Sequence, residues 1–349
     1  MSFSPRFLTT HVGSVPYPSA QPLSDRLAVE LDIPAWPQLS RRSFRENMYV
    51  QYSTTLPRVV LDEANEKVTF DTIGDLTPEL ESFYERYLAD DVESFGLQPE
   101  NAEGFFAMLD ALRATSGDWA KGQVTGPISL GLTVVDQDLR SVLYNDMLAD
   151  TLVKNAAMNA RWQVRQLAAI RPNVIIFVDE PYMASFGSAF ISLSREQVID
   201  MLDEVFAAIH QENALAGVHC CANTDWSVLL ATSVDILNLD AYGYLENLAL
   251  YPAELRAFLD RGGVIAWGIV PNTEAIHTVT AEELAQCLLD GIALISSKAA
   301  ARGITITPDE LADRSLIAPA CGLGPATVPI ADRAFEMLAQ LGPMLRADQ

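Results

Sequence analysis

Eight times along this chain a short apolar run, often β-branched, ends in Gly, Pro or polar residues and gives way to a longer segment of helical periodicity. The runs are "FLTTHVGS" (7–14), "IPAWPQL" (33–39), "GQVTGP" (122–127), "NVIIFVDEP" (173–181), "AGVHCCAN" (216–223), "VDILNLDAY" (234–242), "GVIAWGIVP" (263–271) and "SLIAPACGL" (315–323). Strands that alternate with helices pair in parallel. Being covered on both faces, they read as continuous apolar stretches, as the central runs here do. A length of 349 residues fits two ordinary domains or one α/β barrel. The eight runs favour the barrel: a single (β/α)8 TIM barrel domain over 1–349, with a helical insertion at about 40–110 after the second strand covering its top. The alternative is a doubly wound open sheet, and against it stands the lack of a Gly-rich phosphate loop after the first run.

The intervening segments carry helix-start signals. Ser194 with Gln197, in "LSREQVIDMLDEVFAAIH", and Thr280 with Glu283, before "LAQCLLDGIALI", have capping-box spacing. In the first, Val198, Leu202, Val205, Phe206 and Ile209 fall on one face. Gly217 and Gly303 are the expected stops.

Charge narrows the partners. With 46 acidic and 23 basic residues the formal net charge is −23, which disfavours nucleic acid and anionic membrane surfaces, both bound mainly through Lys and Arg. No window approaches the roughly 18 apolar residues of a membrane span, and the start lacks the pattern of a secretory leader, so a cytoplasmic location is expected. Four cysteines, two of them adjacent, do not make a disulfide framework. They read as reduced thiols, with Cys287 best suited to the role of an inert buried cysteine.

In such a barrel the chemistry gathers at the C-terminal strand ends. Ser14, Gln38, Asp179, Glu180, His219, Asp240, Asn272 and Cys321 all fall there in the sequence. In "GVHCCANTDW" side chains alternate, so His219 and Cys221 share a side and Cys220 points away into the core. One imidazole nitrogen and one thiolate can then meet on a zinc ion, with Cys321 as a third ligand across the mouth. Three protein ligands and an open position describe a catalytic site, and the soft sulfurs favour zinc over magnesium or calcium. Each residue also has a structural reading: a small buried cysteine, or a core histidine bonded to a carbonyl. Asp179 and Glu180 read either as substrate ligands or as partners of loop amides. His11 reads as a site or packing residue, and His210 and His277 as surface or capping residues.

"TTHVGSVP", "GP" at 126–127, "VDEP" at 178–181, "HCC" at 219–221 and "CGL" at 321–323 together resemble the C-terminal catalytic half of cobalamin-independent methionine synthases, within the uroporphyrinogen-decarboxylase-like superfamily. The likeness runs over nearly the whole chain. "IPAWPQLSRRSFRENMYVQYS" is similar to a compact single-barrel branch without the N-terminal folate-binding half. The resemblance implies zinc held by His219, Cys221 and Cys321, with a family Glu replaced by Asp240. Being one methylene shorter, Asp240 would bind at longer distance, through water, or not at all. The resemblance further implies that Val12, Gly13 and Ser14 hold an amino-acid carboxylate and Asp179 its ammonium, with Glu81 the candidate for a second acidic substrate contact.

The implied reaction is methyl transfer to the thiol of homocysteine, giving methionine. A free thiol is mostly protonated at neutral pH, and coordination would make it a thiolate. With the folate-binding half missing, methylcobalamin, free or on a corrinoid methyl-carrier protein, is the expected donor. Three alternatives stay open: another thiol such as coenzyme M, a methyltetrahydrofolate donor, or a non-catalytic corrinoid- or metal-binding barrel subunit. A porphyrinogen decarboxylase fits less well, since its carboxylate-rich substrate calls for converging Arg residues.

Overall fold

The computed structural model describes residues 3–188 and 191–347. Seven strands form one parallel sheet: β1 (Leu8–Thr9), β2 (Trp119–Thr125), β3 (Asn173–Asp179), β4 (Leu215–Cys220), β5 (Ile236–Leu239), β6 (Val264–Val270) and β7 (Ser315–Pro319). Their order is β1-β7-β6-β5-β4-β3-β2, so the sheet curls in chain order as in a TIM-like barrel, with β1 and β2 at its edges.

Residues 33–39, expected as a strand, are not one in the regular sense. They nonetheless bond to both edges of the sheet. On one side Ile33 N donates to Thr9 O (2.9 Å) and Gln38 N to Gly13 O (3.0 Å); on the other Lys121 N donates to Pro34 O (2.9 Å) and Trp36 N to Lys121 O (3.3 Å). Pro34 and Pro37 have no N–H to give, which reduces the ladder to isolated bridges at Ala35–Lys121 and Ser14–Gln38.

The insertion is mixed rather than helical. It contains the helices Met48–Gln51, Thr77–Leu88 and Glu103–Ala114, but also an antiparallel hairpin of Val59–Asp62 with Lys67–Phe70, extended by Val135–Asp136. The cue was the β-branched "VVLD" and "KVTF" flanking a turn in which Glu66 takes φ 51°.

Both capping boxes form, and Val198, Leu202, Val205, Phe206 and Ile209 are the buried face of Arg195–Gln211. That helix, however, is stopped by Asn213 at φ 59°, not by Gly217. Gly217 lies inside β4, where the Phe177 ring occupies the space a side chain would need. Gly303, at φ 74°, does end its helix.

The core has two parts. Most of it lies between the strands and the outer helices. A separate cluster of Ile33, Ile175, Phe177, Ile236, Ala266 and Leu316, with its neighbours, fills the inside of the curl. Alternation along the strands then carries that inner face from apolar to polar toward the C-terminal ends: Phe177 to Asp179, Gly217 to His219, Ile236 to Asn238. The apolar plug leaves one end of the interior free to hold polar groups. No helix among the described residues is long and apolar enough to cross a membrane.

Candidate metal centre

His219, Cys221 and Cys321 come together at that polar end, their ligand atoms all within 4.8 Å of one another. His219 lies within β4, Cys221 one residue past its end, and Cys321 past β7, just after a register shift at Ala318/Pro319. His219 Nε2 and Cys321 Sγ are 3.7 Å apart. Nitrogen and sulfur on one tetrahedral zinc, at ordinary bond lengths, would be separated by about 3.6 Å. The residues present therefore fit a zinc ion, in donor chemistry and in spacing.

The electrostatics agree with a ligand set waiting for a cation. A hydrogen bond from Cys321, helped by His219, pulls the Cys221 thiol down to about 4 against the effect of burial. The same bond pushes Cys321 up, so that the pair holds a thiolate on Cys221 and the proton on Cys321. Burial disfavours protonation of His219, but Cys221 and Asp179 outweigh it and raise its pKa.

His219 is also held from behind. Its Nδ1 lies 2.6 Å from Asn238 Oδ1, and Asn238 Nδ2 donates to Ala266 O at 2.7 Å. The signal for Asn238 was a polar residue inside the apolar "ILNL", at interior parity.

Beside the cluster opens a cavity of about 260 Å³. Val12, Ser14, Asp179, His219, Cys221 and Cys321 line part of it, so most of the expected site residues meet here. Gly13, at φ 151°, lets the chain pass Gln123, whose side chain a Cβ would approach to 2.7 Å. Ser14 Oγ accepts from Gly324 N (3.3 Å) and Leu323 N donates to Ser14 O (2.8 Å), which ties the first strand's end to the Cys321 loop. The segment after residue 38 adds Asn47, Met48 and Tyr49 to the wall, residues the sequence did not single out.

Asp179 Oδ1 is buried without a hydrogen-bond partner. Burial raises this carboxyl to about 6, opposed by His219 and Lys121. Lys121, unnoticed in the sequence although it interrupts "WAKGQVT", is fully buried one layer below. Its Nζ donates to Val12 O (2.7 Å) and sits 4.2 Å from the Phe177 ring centroid. Burial depresses its pKa to about 7.

Two expected contacts lie outside the ligand cluster and the cavity lining, Asp240 still close enough to feel the charges of Cys221 and His219. Asp240 follows the end of β5 and turns into the N-cap of Ala241–Tyr244, its Oδ1 accepting from Gly243 N at 2.7 Å. It lies outside the ligand cluster. Glu81 is exposed on Thr77–Leu88, whose buried residue is Phe83, and does not line the cavity.

Glu180 proves structural. Fully buried, it accepts from Ile128 N (3.0 Å), Ser129 N (2.7 Å) and Ser129 Oγ (2.5 Å), capping Pro127–Thr133. Gly126 of the "GP" pair leaves room for this carboxylate, whose pKa burial raises to about 7. Glu180→Ala, which strands those donors, is expected to cost about 3 kcal/mol of stability in urea unfolding while leaving the metal ligands in place. Cys220 is buried and bonds Ala222 O; His11 is buried, its Nε2 on Ala35 O (3.0 Å) and its ring edge-on to Phe335, so both serve the fold. His210 pairs with Asp235 (2.8 Å), and His277 lies on an outer helix; Cys287, expected to be buried, is instead exposed on the outward side of the helix Ala281–Ala300.

Fold and site together define a class: a TIM-like α/β sheet with a soft His/Cys/Cys group that could hold a metal ion at its C-terminal mouth. A B12-independent methionine synthase from Shewanella sp. W3-18-1, solved in complex with selenomethionine, is similar with a TM-score of 0.53 and 15% identity over 98% of this chain and 98% of that one. A methyltransferase from Methanosarcina mazei is similar with a TM-score of 0.55 and 14% identity over 96% of this chain and 93% of that one. By sequence, no family model and no curated protein matches the chain. At these identities the likeness is one of fold, and it extends over almost the full length.

Proposed function

We propose that the chain is a zinc-dependent S-methyltransferase that methylates homocysteine to methionine, built as one closed (β/α)8 barrel in which residues 33–38 supply the eighth staves. The observation that carries the reading is the pairing of the His219–Cys221–Cys321 cluster with an adjacent cavity that Asp179 also lines.

Zinc, when bound by His219, Cys221 and Cys321, would lower the pKa of an acceptor thiol and keep its sulfur nucleophilic. The remaining work belongs to the chain. Asp179, on the cavity wall, offers its carboxylate to the acceptor's ammonium. Ser14 and the amides around Gly13 face the acceptor's carboxylate. Orientation of this kind removes much of the entropic barrier of a bimolecular transfer. In the transfer itself the new S–C bond forms as the donor's bond to the methyl carbon breaks, and the donor keeps that bond's electron pair.

Cavity size and charge favour this acceptor. A volume of about 260 Å³ holds a small amino-acid thiol but neither a folate nor a corrinoid ring, so the donor approaches from outside the mouth. Among the described residues no Arg or Lys lines the cavity, which leaves the sulfonate of coenzyme M without a cationic partner. We favour methylcobalamin, free or carried on a corrinoid protein, as donor.

The test is a matrix of acceptors and donors with the zinc-loaded protein. Homocysteine should be methylated faster than coenzyme M, and methylcobalamin should outpace methyltetrahydrofolate. Absence of transfer to every thiol from every donor would leave a metal-binding barrel without this activity.

A further inference from the structure

Asn238 is an unusual occupant of β5. Asn is disfavoured in strands, and this one is fully buried between Leu237 and Leu239. A buried amide is retained only where it is bonded, and both ends of this one are. Nδ2 donates to Ala266 O on the neighbouring β6 at 2.7 Å. A backbone carbonyl can only accept, so the amide's orientation is fixed, and its Oδ1 must be the atom facing His219 Nδ1 at 2.6 Å. An amide oxygen can only accept as well. His219 therefore carries a proton on Nδ1. The remaining lone pair then belongs to Nε2, the atom that lies 3.7 Å from Cys321 Sγ.

From this chain of one-way hydrogen bonds, Ala266 to Asn238 to His219, we infer that Asn238 is a positioning residue that fixes the metal-binding tautomer and ring orientation of His219. It makes no contact with acceptor or donor. The inference rests on the metal site proposed above. It adds that β5 contributes to the centre from behind the histidine, while its next interior residue, Asp240, is engaged in capping a helix. An apolar residue at 238 would leave the ring free to protonate Nε2 instead and free to rotate. Partners of this kind behind a ligating histidine typically change metal affinity by roughly 10- to 100-fold.

The experiment uses the zinc-loaded full chain labelled with 15N-histidine. With four histidines in the sequence, His219 can be assigned by single substitutions. Ring-nitrogen shifts should show Nδ1 protonated and Nε2 bound to metal. Chelator competition should then find zinc bound roughly 10- to 100-fold more weakly by Asn238→Leu, but within a few-fold of wild type by Asn238→Asp, which still accepts from Nδ1–H. Metal on Nδ1 in the wild type would overturn the inference, whatever the variants do. Equal weakening in both variants would also overturn it, by reducing Asn238 to a packing residue. Wild-type protein that binds no zinc, or keeps it in Cys321→Ser, would instead bring down the underlying site, a result separate from either of these.

Discussion

Cys221→Ser and Cys321→Ser are each expected to abolish stoichiometric zinc binding and to cost roughly a thousandfold in methyl-transfer rate, since Lewis-acid activation supplies several kcal/mol and each 1.4 kcal/mol is tenfold. The two residues are 100 apart in sequence and sit on different strand ends, yet their sulfur atoms belong to one cluster with His219 Nε2. Removing either leaves two protein ligands, too few for a catalytic zinc site. A serine hydroxyl is a poor replacement because it is not deprotonated at neutral pH, whereas Cys221 is already held as a thiolate by its neighbours. Metal analysis of the purified variants reads this directly. Cys287→Ser, on the helix Ala281–Ala300, is the control and should keep its zinc. Zinc retained at wild-type stoichiometry in both site variants would refute the centre, and retention in only one would mean that the other sulfur is not a ligand.

Much of this arrangement was legible in the sequence, and the parts that were not have physical reasons. Period-two alternation put His219 and Cys221 on one side and Cys220 on the other, and buried Cys220 confirms the parity. The capping boxes at Ser194 and Thr280 were readable because they are local. Residues 33–39 were read as a strand from apolar content, which takes no account of the N–H groups missing at Pro34 and Pro37. The hairpin at Val59–Phe70 was passed over because its strands are short and mostly half-exposed, giving little apolar signal. Asp240 was expected near the metal because it stands where the resembling family has a metal-binding Glu. The chain leaves the strand at Leu239, however, and a free amide at Gly243 captures the carboxylate. Lys121 and Asn238 stand out as polar residues in apolar runs but were passed over for a different reason. A strand buried on both faces does not reveal which of its parities faces the barrel interior, so a polar residue within it cannot be assigned a direction until the neighbouring strands are in place.

Asp179→Asn is expected to raise the KM for homocysteine roughly 10- to 100-fold with zinc content unchanged. The basis is the state of the carboxylate. Asp179 lines the cavity beside the metal-ligand cluster, where its carboxylate can accept charge-assisted hydrogen bonds from a bound ammonium. A hydrogen bond to a charged group is worth about 1.5–3 kcal/mol, which corresponds to the stated range. Asparagine keeps the shape but loses the charge, and it can turn an N–H₂ toward the substrate's own donors. Lys121, whose pKa the Asp179 charge holds up against burial, then loses its anionic neighbour as well. The loss should be specific to acceptors that carry an amine: a small thiol without one should react equally with wild type and variant. A uniform loss across both kinds of thiol would mean that Asp179 supports the fold or the metal centre. An unchanged KM for homocysteine would mean that the ammonium is held elsewhere, and the acceptor would then have to be sought among thiols that carry no amino group.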